Sequence, residues 1–337
     1  MLPEMPVPQP VFSGGARRLG RQLLSSDCSC KPRMLRWVVM PARQNLRAIA
    51  AFFAAVSLCA CAQAASWSVK NEPARLVNGS PILLIVKPPM TLTSLNGSLL
   101  GHTFSFAFDQ KTKSWFAVAG ISLETAPGKY PLELSGEAAP AKASRTPGKI
   151  AFTRTLAVAR AKYPKIELSV EKKFTEPGPE ELKEIEEAQK VKKDYLSRVT
   201  PGREWAGKFS PPADAAISDV FGTQRVFNGE VKSSHQGLDF RVPTGTQVAA
   251  MNGGTVLLAR PLYFEGDFIV LDHGQGLLTL YMHLSEFKVK EGEQVTRGQI
   301  IGLSGGSGRA TGPHLHVAVR WQGTYLDPAT LLKLPLP

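Results

Sequence analysis

The stretch Gly312-Pro-His-Leu-His-Val317 lies in a strand-like pattern close to the C-terminus. Side chains alternate across a strand, so His314 and His316 share one face while Leu315 and Val317 pack on the other. The strand rise separates the two imidazoles by about 6.6 Å. Both can therefore border one metal site without both being ligands.

Apolar, strand-like runs continue on the N-terminal side of this stretch, and no long helix is apparent among them. We therefore predict an antiparallel, all-β domain over residues 215–337. Its expected strands cover 255–259, 268–271, 277–284, 299–303 and 314–319.

A second pattern, Ser234-His-Gln-Gly-Leu-Asp-Phe240, places His235 and Asp239 four residues apart. Gly237 between them permits a tight turn, so both side chains can face one point. Taken alone, this spacing occurs readily by chance. Together with the paired histidines in a domain that lacks cysteine, it favours a metal site over purely structural roles.

A third pattern, Tyr281-Met-His-Leu284, ends another predicted strand. Strand alternation puts Tyr281 on the face of His283, where we expect its hydroxyl to donate a hydrogen bond near the site. The other two histidines have ordinary interpretations. We expect His102 to be a surface or core residue and His273 to lie in the turn between Asp272 and Gly274.

A catalytic zinc takes three protein ligands and keeps a fourth position for water. All four cysteines precede residue 62, so a downstream metal site must use imidazoles and carboxylates if the leader is removed. Two histidines and one aspartate meet that need, and the remaining histidines can transfer protons during amide cleavage.

These three patterns resemble the signatures of lysostaphin-type zinc endopeptidases, which cut peptide bonds in bacterial peptidoglycan. The sequence around the three patterns also matches that family, and the resemblance covers about residues 215–332. It implies one zinc ion per chain, held by His235, Asp239 and His316. It also implies that His283 and His314 are catalytic: they position the attacking water, take its proton and stabilise the oxyanion.

The glycine-rich run 304–312 has two interpretations. It lets an extended peptide approach the backbone beside His314, or it is an ordinary mobile loop.

Upstream of this domain, residues 66–175 alternate in short strand-like runs and predict a β-sandwich-like domain. The sequence of residues 176–214 predicts a helical connector followed by a loop. The helix starts near Pro179, with acids in its early turns, lysines in its late turns and a thin apolar stripe through Leu182 and Ile185. The upstream domain is a spacer or binding module, or it lies across the groove and restrains the enzyme.

The leader, residues 1–65, predicts export. Arg43 and Arg47 precede an apolar run of 13 residues, 48–60, which is too short to span a bilayer comfortably, and small residues follow to Ala64. Lipidation at Cys61 and a plain membrane anchor are the alternatives. Residues 1–33 have the character of a mis-assigned N-terminal extension.

The leader also contributes half of the formal net charge of +12, because it holds eight Lys or Arg and two Asp or Glu. The net positive charge of the rest of the chain suits an anionic wall polymer and a nucleic acid equally, so charge does not distinguish between these two partners. The patterns favour a zinc-dependent peptidoglycan endopeptidase of the periplasm or cell envelope, with a wall peptide as substrate, no nucleic-acid partner and no stable membrane span. Two alternatives stay open: a non-catalytic wall-binding or hydrolase-activating protein, and a metallopeptidase that acts on proteins.

Overall fold

The structure is a computed structural model that describes residues 66–138, 148–167, 178–227 and 230–337. The predicted leader, residues 1–65, lies outside these ranges, and so do residues 168–170 of the strand-like run 166–170.

Nine strands form the N-terminal part of the described chain. They are β1 (Ser68–Glu72), β2 (Leu76–Val77), β3 (Pro81–Lys87), β4 (Leu92–Leu99), β5 (His102–Ser105), β6 (Ala107–Asp109), β7 (Ser114–Gly120), β8 (Gly128–Ala138) and β9 (Gly148–Ala159). One sheet has the order β1-β3-β7-β6 and the other has the order β2-β9-β8-β4-β5. This is the predicted β-sandwich.

The central strand β7 is buried along its whole length, whereas β8 and β4 alternate between buried and exposed residues. Alternation is expected of a strand with one solvated face, and continuous burial of a strand that is covered on both faces. The second cover includes the loop that follows the connector helix: Phe116 of β7 meets Trp205 of this loop edge to face, with 6.1 Å between ring centroids.

The predicted connector helix is present as α1 (Pro179–Leu196). Pro179 occupies its first turn with Glu180 and Glu181, as the dipole argument requires. The predicted stripe, which also runs through Ala188, is confirmed in part: Ala188 is buried, Leu182 is exposed, and the contact face includes Leu196. The helix packs against the C-terminal sheet.

The C-terminal domain is all-β apart from one short helix, as predicted. Its elements are β10 (Lys165–Glu167), β11 (Ile217–Asp219), β12 (Gln224–Phe227), β13 (Glu230–Ser234), β14 (Leu238–Phe240), β15 (Gln247–Ala249), β16 (Gly254–Leu262), β17 (Gly266–Asp272), β18 (Leu277–Phe287), β19 (Gln294–Val295), β20 (Ile300–Ser304), β21 (Leu315–Trp321), β22 (Thr324–Leu326) and α2 (Pro328–Leu331). The main path of its large sheet is β11-β14-β21-β18-β17-β16-β19, while β10, contributed from upstream, joins β12 and β13 in a smaller sheet.

The sandwich and the C-terminal domain share one continuous hydrophobic core. Trp321 of β21 packs against Phe104 of β5, with ring centroids 5.7 Å apart. The main-chain N–H of Asp327 donates to the carbonyl of Gly79 at 2.9 Å. The described residues therefore form one compact unit.

Among the residues that the structure describes, no helix has both the length and the apolar character needed to cross a bilayer.

Candidate metal centre

Three side chains from the first and last histidine patterns converge at the middle of the large sheet. Strand β14 pairs with β21 in a register that sets Asp239 opposite His316, and His235 follows the end of β13. The Nε2 atom of His235 lies 3.0 Å from Nδ1 of His316 and 3.2 Å from Oδ1 of Asp239, and those last two atoms are 2.8 Å apart. Two nitrogens and one oxygen thus face a common point, as metal ligands do.

The imidazole of His235 is held in one orientation through Nδ1, the ring nitrogen that does not face the common point. Its Nδ1 lies 2.9 Å from the carbonyl of Val220 and 3.3 Å from Oδ2 of Asp219. The carbonyl can only accept, so the Nδ1–H donates to it and Nε2 keeps its lone pair for a metal. A carbonyl or carboxylate behind a histidine ligand is the usual way in which proteins fix its tautomer.

Electrostatics favour an ionised carboxylate at this point. When Nε2 of His235 is protonated, burial opposes the charge of Asp239, but the hydrogen bonds from His235 and His316 outweigh burial and hold the pKa of Asp239 well below its usual range. Burial also opposes this protonation of His235, yet the hydrogen bond to Asp239 raises the pKa of that imidazole; a metal ion at the common point would take the place of the proton on Nε2. Burial lowers the pKa of His316.

Close packing gives a second reason for glycine at position 237. A Cβ there would overlap Nε2 and Cε1 of the His316 ring. The chain bends at Gly237 without a positive φ, and the side chains of His235 and Asp239 face one point, as expected.

His283 lies beside these three residues. Its ring centroid is 6.1 Å from that of His316 and 4.8 Å from that of His314. Its Nδ1 lies 2.8 Å from the carbonyl of Ser307, so Nδ1–H donates there and Nε2 is the basic nitrogen. Burial lowers the pKa of His283 to about 4, which keeps the ring neutral near pH 7.

His283 also has a backbone that few residues of its type adopt. Its φ is +61°, in the left-handed region, and its N–H donates to the carbonyl of Glu265 at 2.9 Å. A non-glycine residue in this region is strained, and such residues cluster at functional sites. The break in strand geometry turns the imidazole away from the face that simple alternation assigns to it.

His314 completes a group of four histidines. Its Nδ1 lies 2.8 Å from the carbonyl of Gly312, so it has the same pattern as His283: one nitrogen donates to a carbonyl and Nε2 stays basic. Unlike His283, His314 is half-buried, at the rim of the site.

The remaining histidines and Tyr281 lie elsewhere. His273 is fully buried, and its Nδ1 lies within hydrogen-bond distance of the carbonyl of Gly253. His102 packs against Trp321 with the two rings tilted by 52°. The expectation that Tyr281 donates near the site is wrong. Its hydroxyl accepts from the N–H of Met251 inside the core, because the left-handed residue at 283 breaks the alternation that links the two positions.

Sequence reasoning missed two groups behind the site: the carbonyls of Val220 and Ser307. Main-chain acceptors carry no sequence signal. Asp219, by contrast, stands in Ser218-Asp-Val-Phe-Gly222, which matches the resembled family, so a carboxylate near His235 could have been anticipated.

The fold and the site together define a class: β-sheet domains that can hold one metal ion through two imidazoles and a carboxylate, with two further imidazoles beside it. Residues 233–328 match peptidase family M23. They form a peptidase M23 domain, and the predicted lysostaphin-type resemblance is confirmed.

Individual relatives agree with this assignment. The chain is 43% identical over 103 residues to the peptidoglycan DD-endopeptidase ShyA of Vibrio cholerae. This match covers 31% of this chain and 23% of ShyA. It is 39% identical over 103 residues to the DD-carboxypeptidase/endopeptidase Mpg of Neisseria meningitidis. This match covers 31% of this chain and 24% of Mpg. The chain therefore spans about a quarter of the length of these curated relatives.

A solved structure from Pseudomonas aeruginosa, assigned to peptidase M23, matches with a TM-score of 0.57 and 29% identity. The match covers 77% of this chain and 95% of that one, so it extends well beyond residues 233–328. The likeness therefore includes much of the upstream β domain.

Proposed function

We propose that the protein is a zinc-dependent endopeptidase that hydrolyses peptide bonds in the stem peptides or cross-links of bacterial peptidoglycan. The observation that carries this proposal is the convergence of His235 Nε2, Asp239 Oδ1 and His316 Nδ1 beside two more imidazoles. The relatives support it as well: ShyA is named a peptidoglycan DD-endopeptidase, and Mpg is named a DD-carboxypeptidase/endopeptidase.

The donor set fits zinc. Zinc accepts imidazole nitrogen and carboxylate oxygen at about 2.0–2.2 Å, and ligands of a tetrahedral ion then lie about 3.3 Å apart. The separations of 2.8–3.2 Å are close to this value, so small shifts would admit the ion. The chemistry that a bound zinc supplies is Lewis acidity, which makes water acidic near neutral pH and polarises a carbonyl.

The other two histidines handle protons in this proposal. His283 is neutral near pH 7, so its Nε2 can take the proton of the attacking water as the oxygen bonds the carbonyl carbon. The same proton then passes to the amide nitrogen as the C–N bond breaks, which leaves a carboxylic acid and an amine. His314, at the rim, is suited to bind the carbonyl oxygen as negative charge develops there.

The relatives indicate which bond to test first. ShyA is named a DD-endopeptidase and Mpg a DD-carboxypeptidase/endopeptidase. We therefore infer that this chain cleaves a peptide bond between two D-configured centres of the wall cross-link.

The experiment compares two substrates. The zinc-loaded chain is incubated with purified sacculi and, separately, with casein, and the released fragments are identified by mass spectrometry. The proposal expects muropeptide fragments cut at the cross-link and intact casein, with no release by His316→Ala. Casein fragments alone would favour the protein-directed metallopeptidase, and inert sacculi with bound protein would favour the wall-binding or activating alternative.

We also propose that the chain is exported to the periplasm or cell envelope and loses residues 1–65. The order of basic, apolar and small residues supports this, as does a substrate that lies outside the cytoplasm. N-terminal sequencing of the native protein should begin close to residue 65. A start at Met1 or Met40 would contradict cleavage, and a lipid on Cys61 would favour the anchored alternative.

A further inference from the structure

One residue from the upstream part of the chain touches the loop that holds a metal ligand. Tyr163 lies between β9 and β10, and its hydroxyl donates to the carbonyl of Asn78 in the sandwich at 2.6 Å. Its ring meets Phe221 edge to face, with centroids 6.1 Å apart. Tyr163 therefore joins the sandwich to the loop 219–223.

The fit around this ring is close. A Cβ at Gly222 would overlap the Tyr163 ring, and one at Gly79 would lie 2.5 Å from the Tyr163 hydroxyl and 2.6 Å from the ring of Phe221. Both glycines have left-handed backbones, with φ of +81° and +86°, which other residues rarely adopt. Tyr163 thus fills a slot between one glycine of each domain, and that slot has no room for another side chain.

The opposite side of the same loop holds His235 by main-chain bonds. The N–H of Gly222 donates to the carbonyl of His235 at 2.8 Å, and the N–H of His235 donates to the carbonyl of Thr223 at 2.9 Å. The third bond is the one from His235 Nδ1 to the carbonyl of Val220. Loop 219–223 therefore fixes both the backbone and the ring of this histidine.

A second connection runs beside Tyr163. The N–H of Gln224 donates to the carbonyl of Pro164 at 2.8 Å, and this bond begins the parallel pairing of β10 with β12. Loop 219–223 is thus clamped by the upstream segment at its end as well as at Phe221. A shift of the Tyr163 ring would reach His235 through one loop of five residues.

We propose that Tyr163 is a positioning residue for the metal centre: it holds loop 219–223 in the conformation that aims Nε2 of His235 at the metal. This inference rests on the proposed zinc site. It assigns a role to the upstream domain that neither a passive spacer nor a block of the groove includes, since the sandwich would support the site through Tyr163. Groups that stand behind metal ligands typically change metal affinity by about 10–100-fold when they are lost.

The test uses the full chain with Tyr163→Ala, Tyr163→Leu and Tyr163→Phe. The matched control is Tyr130→Ala, because Tyr130 also bonds a main-chain carbonyl of the sandwich, that of Ala126 at 2.7 Å. The zinc dissociation constant is measured by competition with a chelator, and the visible spectrum is recorded after cobalt(II) substitution. Both are measured well below the unfolding temperature of each variant.

We expect Tyr163→Ala and Tyr163→Leu to weaken zinc binding by about 10–100-fold and to change the cobalt spectrum. Tyr163→Phe, which keeps the ring, should bind zinc almost as tightly as the unmodified chain, and Tyr130→Ala should bind it equally tightly. If Tyr163→Ala does not fold, the comparison of Tyr163→Leu with Tyr163→Phe decides.

Two results have different meanings. Unchanged zinc affinity and spectrum in a folded Tyr163→Leu or Tyr163→Ala variant would overturn the positioning role, even if its unfolding temperature fell. Failure of the unmodified chain to bind zinc would instead overturn the proposed function.

Discussion

The main-chain carbonyl of Ser307 accepts a hydrogen bond from Nδ1 of His283 at 2.8 Å. Ser307 is itself anchored, because its hydroxyl donates to the carbonyl of Leu284 at 2.6 Å and accepts from the N–H of Asp267 at 2.8 Å. A Cβ at Gly266 would overlap Ser307, so the two segments are in close contact. The glycine-rich run 304–312 is therefore tied at Ser307 to the strand that carries the proposed base, which argues against an ordinary mobile loop at this point.

Ser307→Ala removes both side-chain anchors while keeping the carbonyl that orients His283. Each lost hydrogen bond is worth about 1 kcal/mol, and part of this loss should appear as a less well-defined imidazole. We expect turnover of a wall peptide to fall by about tenfold, which corresponds to 1.4 kcal/mol, with zinc content unchanged. Steady-state kinetics and metal analysis check this, and an unaltered rate would show that the anchors do not matter.

Removal of any one proposed ligand should abolish tight zinc binding. His235→Ala, Asp239→Ala and His316→Ala each leave two donors, which is too few for a stable catalytic site. Metal analysis after gel filtration should show about one zinc per unmodified chain and far less in each variant. His102→Ala, a histidine packed against Trp321, is the control and should keep its zinc. Full occupancy in all three ligand variants would refute the assignment.

His283→Ala and His314→Ala should separate catalysis from metal binding. Neither side chain belongs to the group whose donor atoms converge, so zinc content and fold should persist. Loss of proton transfer typically costs about 10²–10⁴-fold in rate. If both variants cleave purified wall substrate at rates within a few fold of the unmodified enzyme, neither residue has the proposed catalytic role.

Gly237→Ala tests the close approach of the first pattern to His316. The added Cβ would overlap the His316 ring, so the ring or the backbone must move and the three donors would no longer converge. We expect at least a tenfold weaker affinity for zinc. Gly202→Ala is the matched control, since its Cβ would meet nothing within 4 Å. Equal affinities in the two variants would show that the site absorbs the methyl group.

The strands of the C-terminal domain could be predicted because their signals are local. Apolar runs at 255–259, 268–271 and 277–284 fall within β16, β17 and β18, and the paired histidines fall at the start of β21. Residues 103–108, by contrast, alternate in sequence as a single strand would, yet the structure divides them between β5 and β6. Phe106 lies between the two strands and is buried, and no local pattern indicates such an interruption.

The site could be predicted in part for a related reason. Spacing and strand period predict that His235 can face the same point as Asp239 and that His314 and His316 share one face. The set His235, Asp239 and His316 is instead what the family resemblance implies, because the meeting of Asp239 with His316 depends on the pairing of β14 with β21. The position of Tyr281 could not be predicted, because it depends on the left-handed backbone at His283. The contact of Tyr163 with loop 219–223 joins residues about 60 positions apart, so no periodic pattern in the sequence indicates it.

His273 provides a separate test of the core. It is fully buried, with Nδ1 2.6 Å from the carbonyl of Gly253 and Nε2 2.7 Å from the hydroxyl of Thr279. Its Nδ1–H therefore donates to the carbonyl, while the Thr279 hydroxyl beside Nε2 donates to the hydroxyl of Tyr281 at 3.0 Å. Burial lowers the pKa of His273 to about 4, against an ordinary value of 6.5.

This shift predicts how stability depends on pH. Between about pH 6.5 and 4 the unfolded chain binds a proton at this histidine while the folded chain does not, so the free energy of unfolding falls as the pH falls. The full contribution is about 3 kcal/mol, because one pKa unit is worth 1.36 kcal/mol, and it is intact only above about pH 6.5. His273→Gln cannot titrate, so its unfolding free energy, measured by urea titration, should decline less steeply over that range than that of the unmodified chain. Parallel pH profiles for His273→Gln and the unmodified chain would show that His273 does not resist protonation in the folded state.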